Sequence, residues 1–219
     1  MVPSRAVDPT LLVLVRHGET PANTEGIWHG STDTPLSPRG LEQARLVARW
    51  LASGRPVAAL YTSPLQRAVH TAREIGARLG LAAQVEADLA EYHLGTWEGR
   101  AYRDLLDRED FWRRIARDPD FAPEGGESVR RVGERVADAL RRIAAAHPGE
   151  RAVLVSHGGA LSLGLGWLLD GHHASWRRVM HNCAVSELVL DPEPRLLRFN
   201  EAAHLEGVEP LDPRALVGR

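Results

Sequence analysis

Apolar residues fall into two kinds of run along this chain, short unbroken ones and longer ones in which they recur every three or four positions. Leu11 to Val15 (LLVLV) has no polar position, the pattern of a strand buried on both faces of a parallel sheet. Ser37-Pro38 then supplies a helix N-cap and first residue. Leu41, Ala44, Val47, Ala48 and Leu51 follow at helical spacing until Gly54 ends the run. A second strand is expected over Val57 to Tyr61. Ser63-Pro64 opens another helix there, with Leu65, Ala68, Ala72, Ile75 and Leu79 as its buried stripe. A third strand is expected near Ala82 to Val85, followed by a polar, glycine-punctuated loop from Glu91 to Gly99.

Residues 100–121 have helical spacing but carry many charges and the aromatics Tyr102, Phe111, Trp112 and Phe121, until Pro119, Pro123 and Gly125-Gly126 break the pattern. This stretch, about 100–126, reads as a short helical cap inserted in a single domain spanning 1–219. Trp112 and Phe121 either line a pocket beneath it or pack the cap onto the domain, and packing is the preferred expectation. A long helix from Val129 passes through Val132, Val136, Leu140 and Ile143 to His147-Pro148-Gly149. A buried strand follows over Ala152 to Val155, then a helix through Leu169. Val185 to Leu190 and Leu196 to Asn200 read as strands near the sheet edge, and the tail from Glu206 is Pro- and Gly-punctuated. Strands alternating with helices predict a doubly wound α/β fold.

In open α/β sheets ligands bind beyond the carboxyl ends of the strands. Three of those ends carry unusual residues: Arg16-His17-Gly18 after the first strand, Ser156-His157-Gly158 after the strand that follows the long helix, and Ser63-Pro64-Leu65-Gln66-Arg67 after the second. If these strands are neighbours, both histidines and both arginines share one pocket. That set suits a phosphoryl group. A guanidinium offers paired N–H donors to phosphate, a helix N-terminus adds aligned N–H groups, and an imidazole nitrogen is a nucleophile for in-line attack. Glycine after each histidine is expected to let the backbone approach the anion.

Composition narrows the classes. The 219 residues suit one α/β domain, and net charge is −2 with acids and bases interspersed, unlike the basic face of a nucleic-acid binder. All cations are Arg, so a phosphate loop that needs Lys is excluded. Met1 to Thr10 has no apolar stretch of signal-peptide type, and no run approaches a membrane span. Cys183 is the only cysteine, so no internal disulfide forms; it is expected to be a small buried residue. These points together predict a cytoplasmic protein.

The motifs then assemble in order along nearly the whole chain. Leu14-Val15-Arg16-His17-Gly18-Glu19-Thr20 with Asn23 resembles the signature of the phosphoglycerate mutase-like histidine phosphatases. The resemblance continues through Gly30, Asp33, Pro35-Leu36-Ser37, Gly40, Gln43-Ala44, Ser63-Pro64-Leu65-Gln66-Arg67-Ala68, Glu91, Leu94-Gly95-Thr96-Trp97-Glu98-Gly99, Gly125-Gly126-Glu127-Ser128, Val155-Ser156-His157-Gly158, Asn182 and Asn200. It implies a three-layer α/β/α sandwich with a mostly parallel central sheet. It also implies that His17 becomes phosphorylated, that Arg16, Arg67 and His157 clamp the phosphoryl group with Asn23 adding a hydrogen bond, and that Glu91 protonates the leaving oxygen and then activates water. His29, Gly30 and Gly158 join the phosphate-binding set, with His29 standing where many members carry Gln.

No metal or other cofactor is implied. The partners expected are a small phosphate ester and inorganic phosphate, with no nucleic acid or membrane, and the late edge strands leave room for a homodimer. The loop Leu94 to Gly99 resembles the broad-specificity phosphatase branch, which favours a phosphatase over a cofactor-dependent phosphoglycerate mutase. A metallohydrolase would need a ligand array that His172-His173 and His181 do not form. A catalytically dead phosphate-binding module would lack either His17 or Glu91.

Overall fold

The computed structural model describes residues 9–107, 111–172 and 179–210. One six-stranded sheet carries the fold. In chain order its strands are β1 (Leu11–Arg16), β2 (Ala59–Thr62), β3 (Ala83–Val85), β4 (Arg151–Ser156), β5 (Val185–Val189) and β6 (Arg195–Glu201). They lie side by side as β3-β2-β4-β1-β5-β6. The first four run parallel, while β5 and β6 pair antiparallel.

The unbroken apolar runs take the centre because only there are both faces of a strand covered. Leu12 and Leu14 on β1 point into one cluster with α6 (Val129–Ala146) and α7 (Gly158–Asp170). Val13 and Val15 point the other way, into a cluster with α2 (Pro38–Ala52) and α3 (Gln66–Leu79). Helix layers on both faces make the expected α/β/α sandwich. The late strands differ from one another. β5 lies against β1 inside the sheet, whereas β6 and the fully exposed β3 form the two edges.

The sequence pattern missed a short helix, α1 (Pro21–Glu25). Its signal is local: Thr20 caps it, Pro21 opens it, and the Asn23 side chain returns the bond to the Thr20 N–H. α3 departs from expectation in another way. Ser63-Pro64 does not cap it; the helix starts at Gln66, whose N–H donates to Asp33 Oδ1 at 2.7 Å. The Ser63 hydroxyl is already engaged with His157, so the helix takes its cap from a distant loop.

The cap contains α4 (Tyr102–Asp107) and α5 (Phe111–Arg117). It is no loose flap, since Leu105, Phe111 and Ile115 are buried in the same cluster as Leu14 and α6. Phe121 packs against Trp97, with ring centroids 5.8 Å apart, as the packing expectation had it. The Trp112 side chain, His173 and the tail beyond 210 lie outside the described residues.

Candidate active site

The pairing register brings the three motif-bearing strand ends level. Arg16 pairs with Ser156 across β1 and β4, and Thr62 with Val155 across β2 and β4. Two further bonds continue that pairing into the loops, from His17 N–H to the Ser156 carbonyl and from Ser63 N–H to the Val155 carbonyl, both 2.9 Å. The condition set by the sequence is met: the strands are neighbours, and His17, His157, Arg16 and Arg67 converge. The His17 and His157 rings lie 5.1 Å apart, centroid to centroid.

His17 is buried, with Nδ1 2.7 Å from the Gly18 carbonyl. A carbonyl only accepts, so Nδ1 carries the proton and Nε2 keeps its lone pair. Burial holds this imidazole well below the ordinary histidine range, with the cations Arg67 and Arg16 adding to the effect and the Gly18 bond opposing it. His157 is depressed likewise, by burial first and then by Arg67, His17, Arg16 and Arg135. Its Nδ1 accepts from Arg67 Nε at 3.2 Å and its Nε2 faces Ser63 Oγ at 2.6 Å. Because Arg67 can only donate, His157 is neutral with its proton on Nε2. Both of its ring nitrogens therefore have partners inside the protein.

Arg16 donates from Nη1 to the Met180 carbonyl at 2.6 Å, while its buried Nε has no partner. Burial lowers its pKa to about 10, with Glu91 opposing and Arg67 assisting, so it remains a cation at neutral pH. Arg67, on the first turn of α3, donates from Nη1 to the Thr32 carbonyl (2.8 Å) and from Nη2 to the carbonyls of His29 (3.3 Å) and Gly30 (2.7 Å). His29 has a buried, unpartnered Nδ1, a polar group available to a ligand. Gly30, which the resemblance put in the phosphate-binding set, has its N–H bound to Glu98 at 3.0 Å.

Glu91 is buried in the loop after β3. Its Oε1 accepts from the N–H groups of Tyr92 (2.8 Å) and Ala160 (2.7 Å), and its Oε2 from Gly159 N–H (3.0 Å). The carboxylate thus caps the start of α7, where the positive end of the helix dipole favours it. Gly159 is required for that approach, since a Cβ there would sit 2.7 Å from Glu91 Oε1. The expectation that both His-Gly pairs admit the anion needs correction at Gly18. A Cβ there would lie 2.3 Å from the Gly40 carbonyl, so that glycine serves helix packing, whereas a Cβ at Gly158 would lie 3.4 Å from the Arg16 guanidinium.

Residues just before β5 close the site. Because β5 is antiparallel to β1, its start lies at the carboxyl end of β1. Asn182 donates to the His17 carbonyl (3.0 Å) and to Asn23 Oδ1 (3.1 Å). Asn23 Oδ1 also accepts from Thr20 N–H, which leaves its Nδ2 as the donor for a ligand. Cys183 takes a left-handed φ of 53° and donates from its N–H to the Arg16 carbonyl at 2.9 Å. It is buried, as expected. No group of three or more His, Cys, Asp or Glu among the described residues is placed to hold a metal ion.

One imidazole with a free Nε2 lone pair, a second imidazole beside it, two guanidiniums and a carboxylate at the carboxyl ends of a parallel sheet define a phosphoryl-handling site. Residues 12–202 match the histidine phosphatase superfamily (branch 1), and the chain belongs to that family. It is similar to phosphoglycerate mutase-like protein 4 of Arabidopsis thaliana, 38% identical over 163 residues that make up 72% of this chain and 70% of that protein. Mycobacterial glucosyl-3-phosphoglycerate phosphatase in complex with VO3 superposes with a TM-score of 0.77 at 32% identity, covering 88% of this chain and 99% of that one. Phosphoserine phosphatase of Entamoeba histolytica in complex with 3-phosphoglyceric acid gives a TM-score of 0.81 at 28% identity, covering 90% and 99%. The fold is therefore that of the phosphoglycerate mutase-like structures.

Proposed function

We propose that this chain is a metal-independent phosphatase that hydrolyses small phosphate monoesters through a phosphohistidine on His17. One observation carries the reading. The His17 proton is tied to the Gly18 carbonyl, which leaves a neutral Nε2 lone pair in a pocket whose cations are Arg16 and Arg67. Nε2 attacks phosphorus in line and the ester P–O bond breaks. Glu91, held near the pocket by three N–H groups, enters this step protonated on Oε2, which has one donor and a spare lone pair, and gives that proton to the leaving oxygen. In the second half, Glu91 takes a proton from water, the water oxygen attacks phosphorus, and the N–P bond pair returns to Nε2. Charge on the equatorial oxygens is met by the free edge of Arg16, the remaining Arg67 N–H and Asn23 Nδ2. His157 borders the seat and reaches phosphate only by giving up Arg67 or Ser63. Relatives whose names denote phosphatases of phosphorylated small molecules favour hydrolysis. The single buried cysteine suits a reducing, cytoplasmic setting.

The test is phenolate release from p-nitrophenyl phosphate in the presence of EDTA, with wild type and His17→Ala compared. Turnover by the wild type, lost in the variant, together with acid-labile, alkali-stable phosphate labelling of the wild type alone, is the expected result. A wild type that hydrolyses no ester but interconverts phosphoglycerates would hand the site to the mutase reading. Turnover abolished by EDTA would sink the metal-free mechanism.

A further inference from the structure

Glu98 has no role in the chemistry above, yet its carboxylate accepts six hydrogen bonds. Oε1 takes the Ser31 N–H (2.7 Å), the Ser31 hydroxyl (3.0 Å) and the Leu94 N–H (3.1 Å). Oε2 takes the Gly30 N–H (3.0 Å), the Thr32 N–H (3.3 Å) and the Thr32 hydroxyl (2.8 Å). The opposite side of the same loop holds Arg67 through the carbonyls of His29, Gly30 and Thr32.

These two sets of bonds share peptide units. The His29 carbonyl and the Gly30 N–H belong to one, and the Gly30 carbonyl and the Ser31 N–H to the next. Each therefore stands with its oxygen on the Arg67 guanidinium and its N–H on the Glu98 carboxylate, its dipole aligned between the two charges. Gly30 makes the sandwich thin enough, since a Cβ there would lie 2.6 Å from Glu98 Oε1 and 2.0 Å from the Tyr92 carbonyl.

We infer that Glu98 is the positioning residue for Arg67, forming with it an ion pair relayed through peptide units 29–30 and 30–31. The arrangement solves a conflict. A buried guanidinium needs an anion, but a carboxylate placed directly on it would occupy the phosphate seat and repel a phosphate dianion. Setting the carboxylate behind two peptide units keeps Arg67 charged and aimed while leaving the seat to the substrate. Two further facts agree. Burial lowers the Arg67 pKa, while Glu91, Asp33 and Glu98 oppose that fall. Burial also raises that of Glu98, but the bonds from Ser31, Leu94 and Thr32 outweigh it and hold the carboxyl below its ordinary value.

The inference rests on the reading of Arg67 as a phosphate ligand, and a double-mutant cycle separates the two. Inhibition by inorganic phosphate is measured for wild type, Glu98→Gln, Arg67→Ala and the double variant, each checked for folding by its melting transition. Glu98→Gln should weaken phosphate on the order of tenfold, because its amide points N–H at the N–H donors of the loop and turns the carbonyls off Arg67. In the Arg67→Ala background the same change should have almost no effect. Full additivity, or a folded Glu98→Gln that binds phosphate like the wild type, would overturn the inference. An Arg67→Ala variant that binds phosphate normally would instead bring down the phosphate-ligand reading of Arg67, and the inference with it. Should Glu98→Gln not fold, Thr32→Val removes one hydroxyl donor and leaves the backbone. It should weaken phosphate about two- to threefold, again only when Arg67 is present, and no change with Arg67 present would count against the relay.

Discussion

Replacing His17 or His157 with Asn, one at a time, tests whether the site holds both imidazoles neutral. Each ring is fully enclosed and its pKa lies well below the ordinary value of about 6.5, because burial and the neighbouring arginines disfavour the cation. Above pH 6.5 the folded and unfolded chains both leave these rings unprotonated, and nothing is lost. Below it the unfolded chain takes up two protons that the folded chain refuses, so stability falls as pH falls. Between pH 7.5 and 5.5 each ring accounts for on the order of 1 kcal/mol, and the pair for roughly twice that, a sizeable part of a typical total of roughly 5–15 kcal/mol. Urea unfolding at the two pH values measures the loss for wild type and both variants. The comparison is of losses, not of absolute stabilities, because other titrating groups are common to all three proteins. Each variant should lose on the order of 1 kcal/mol less than the wild type. Equal losses in all three would show that these histidines titrate normally in the folded protein, and the neutral-nucleophile argument would fail with them.

Other outcomes follow from the geometry. Gly159→Ala puts a methyl group 2.7 Å from Glu91 Oε1 and forces the carboxyl to shift; kcat should drop on the order of 10²-fold with little change in phosphate affinity. Asp33→Ala removes the acceptor for the first N–H of α3 and should lower stability by about 1 kcal/mol, read by thermal or urea unfolding. Leu14→Ala opens a cavity between the sheet and α6–α7 and should cost about 2–5 kcal/mol in urea unfolding, with KM unchanged. A change in KM there would mean that the core and the phosphate seat are mechanically coupled.

Most of the sandwich was legible in the chain because it rests on local periodicity. The unbroken run at Leu11 to Val15 demands cover on both faces, and the three- and four-residue spacings of Val47, Leu51, Val132 and Val136 demand helices to supply it. The convergence of His17, His157, Arg16 and Arg67 was legible too, since a strand end followed by Arg-His or Ser-His is a local feature placed by a general rule of α/β sheets. What escaped depends on contacts between segments far apart in the chain. Asp33 caps a helix 33 residues later, which no inspection of Ser63-Pro64 would show. Asn182 was visible as a motif residue, but its grip on the His17 carbonyl exists only because β5 turns back along β1.

The layers, the order of elements and the chemical types at the strand ends can be read from the chain, because these follow from periodicity and side-chain chemistry one segment at a time. Which donors are spent and which remain is settled by the packed fold. It tied Gly30 N–H to Glu98, both His157 nitrogens to Arg67 and Ser63, and left Arg16 Nε open. Hydrogen bonding saturates, so whether a group is available depends on every neighbour the fold brings to it.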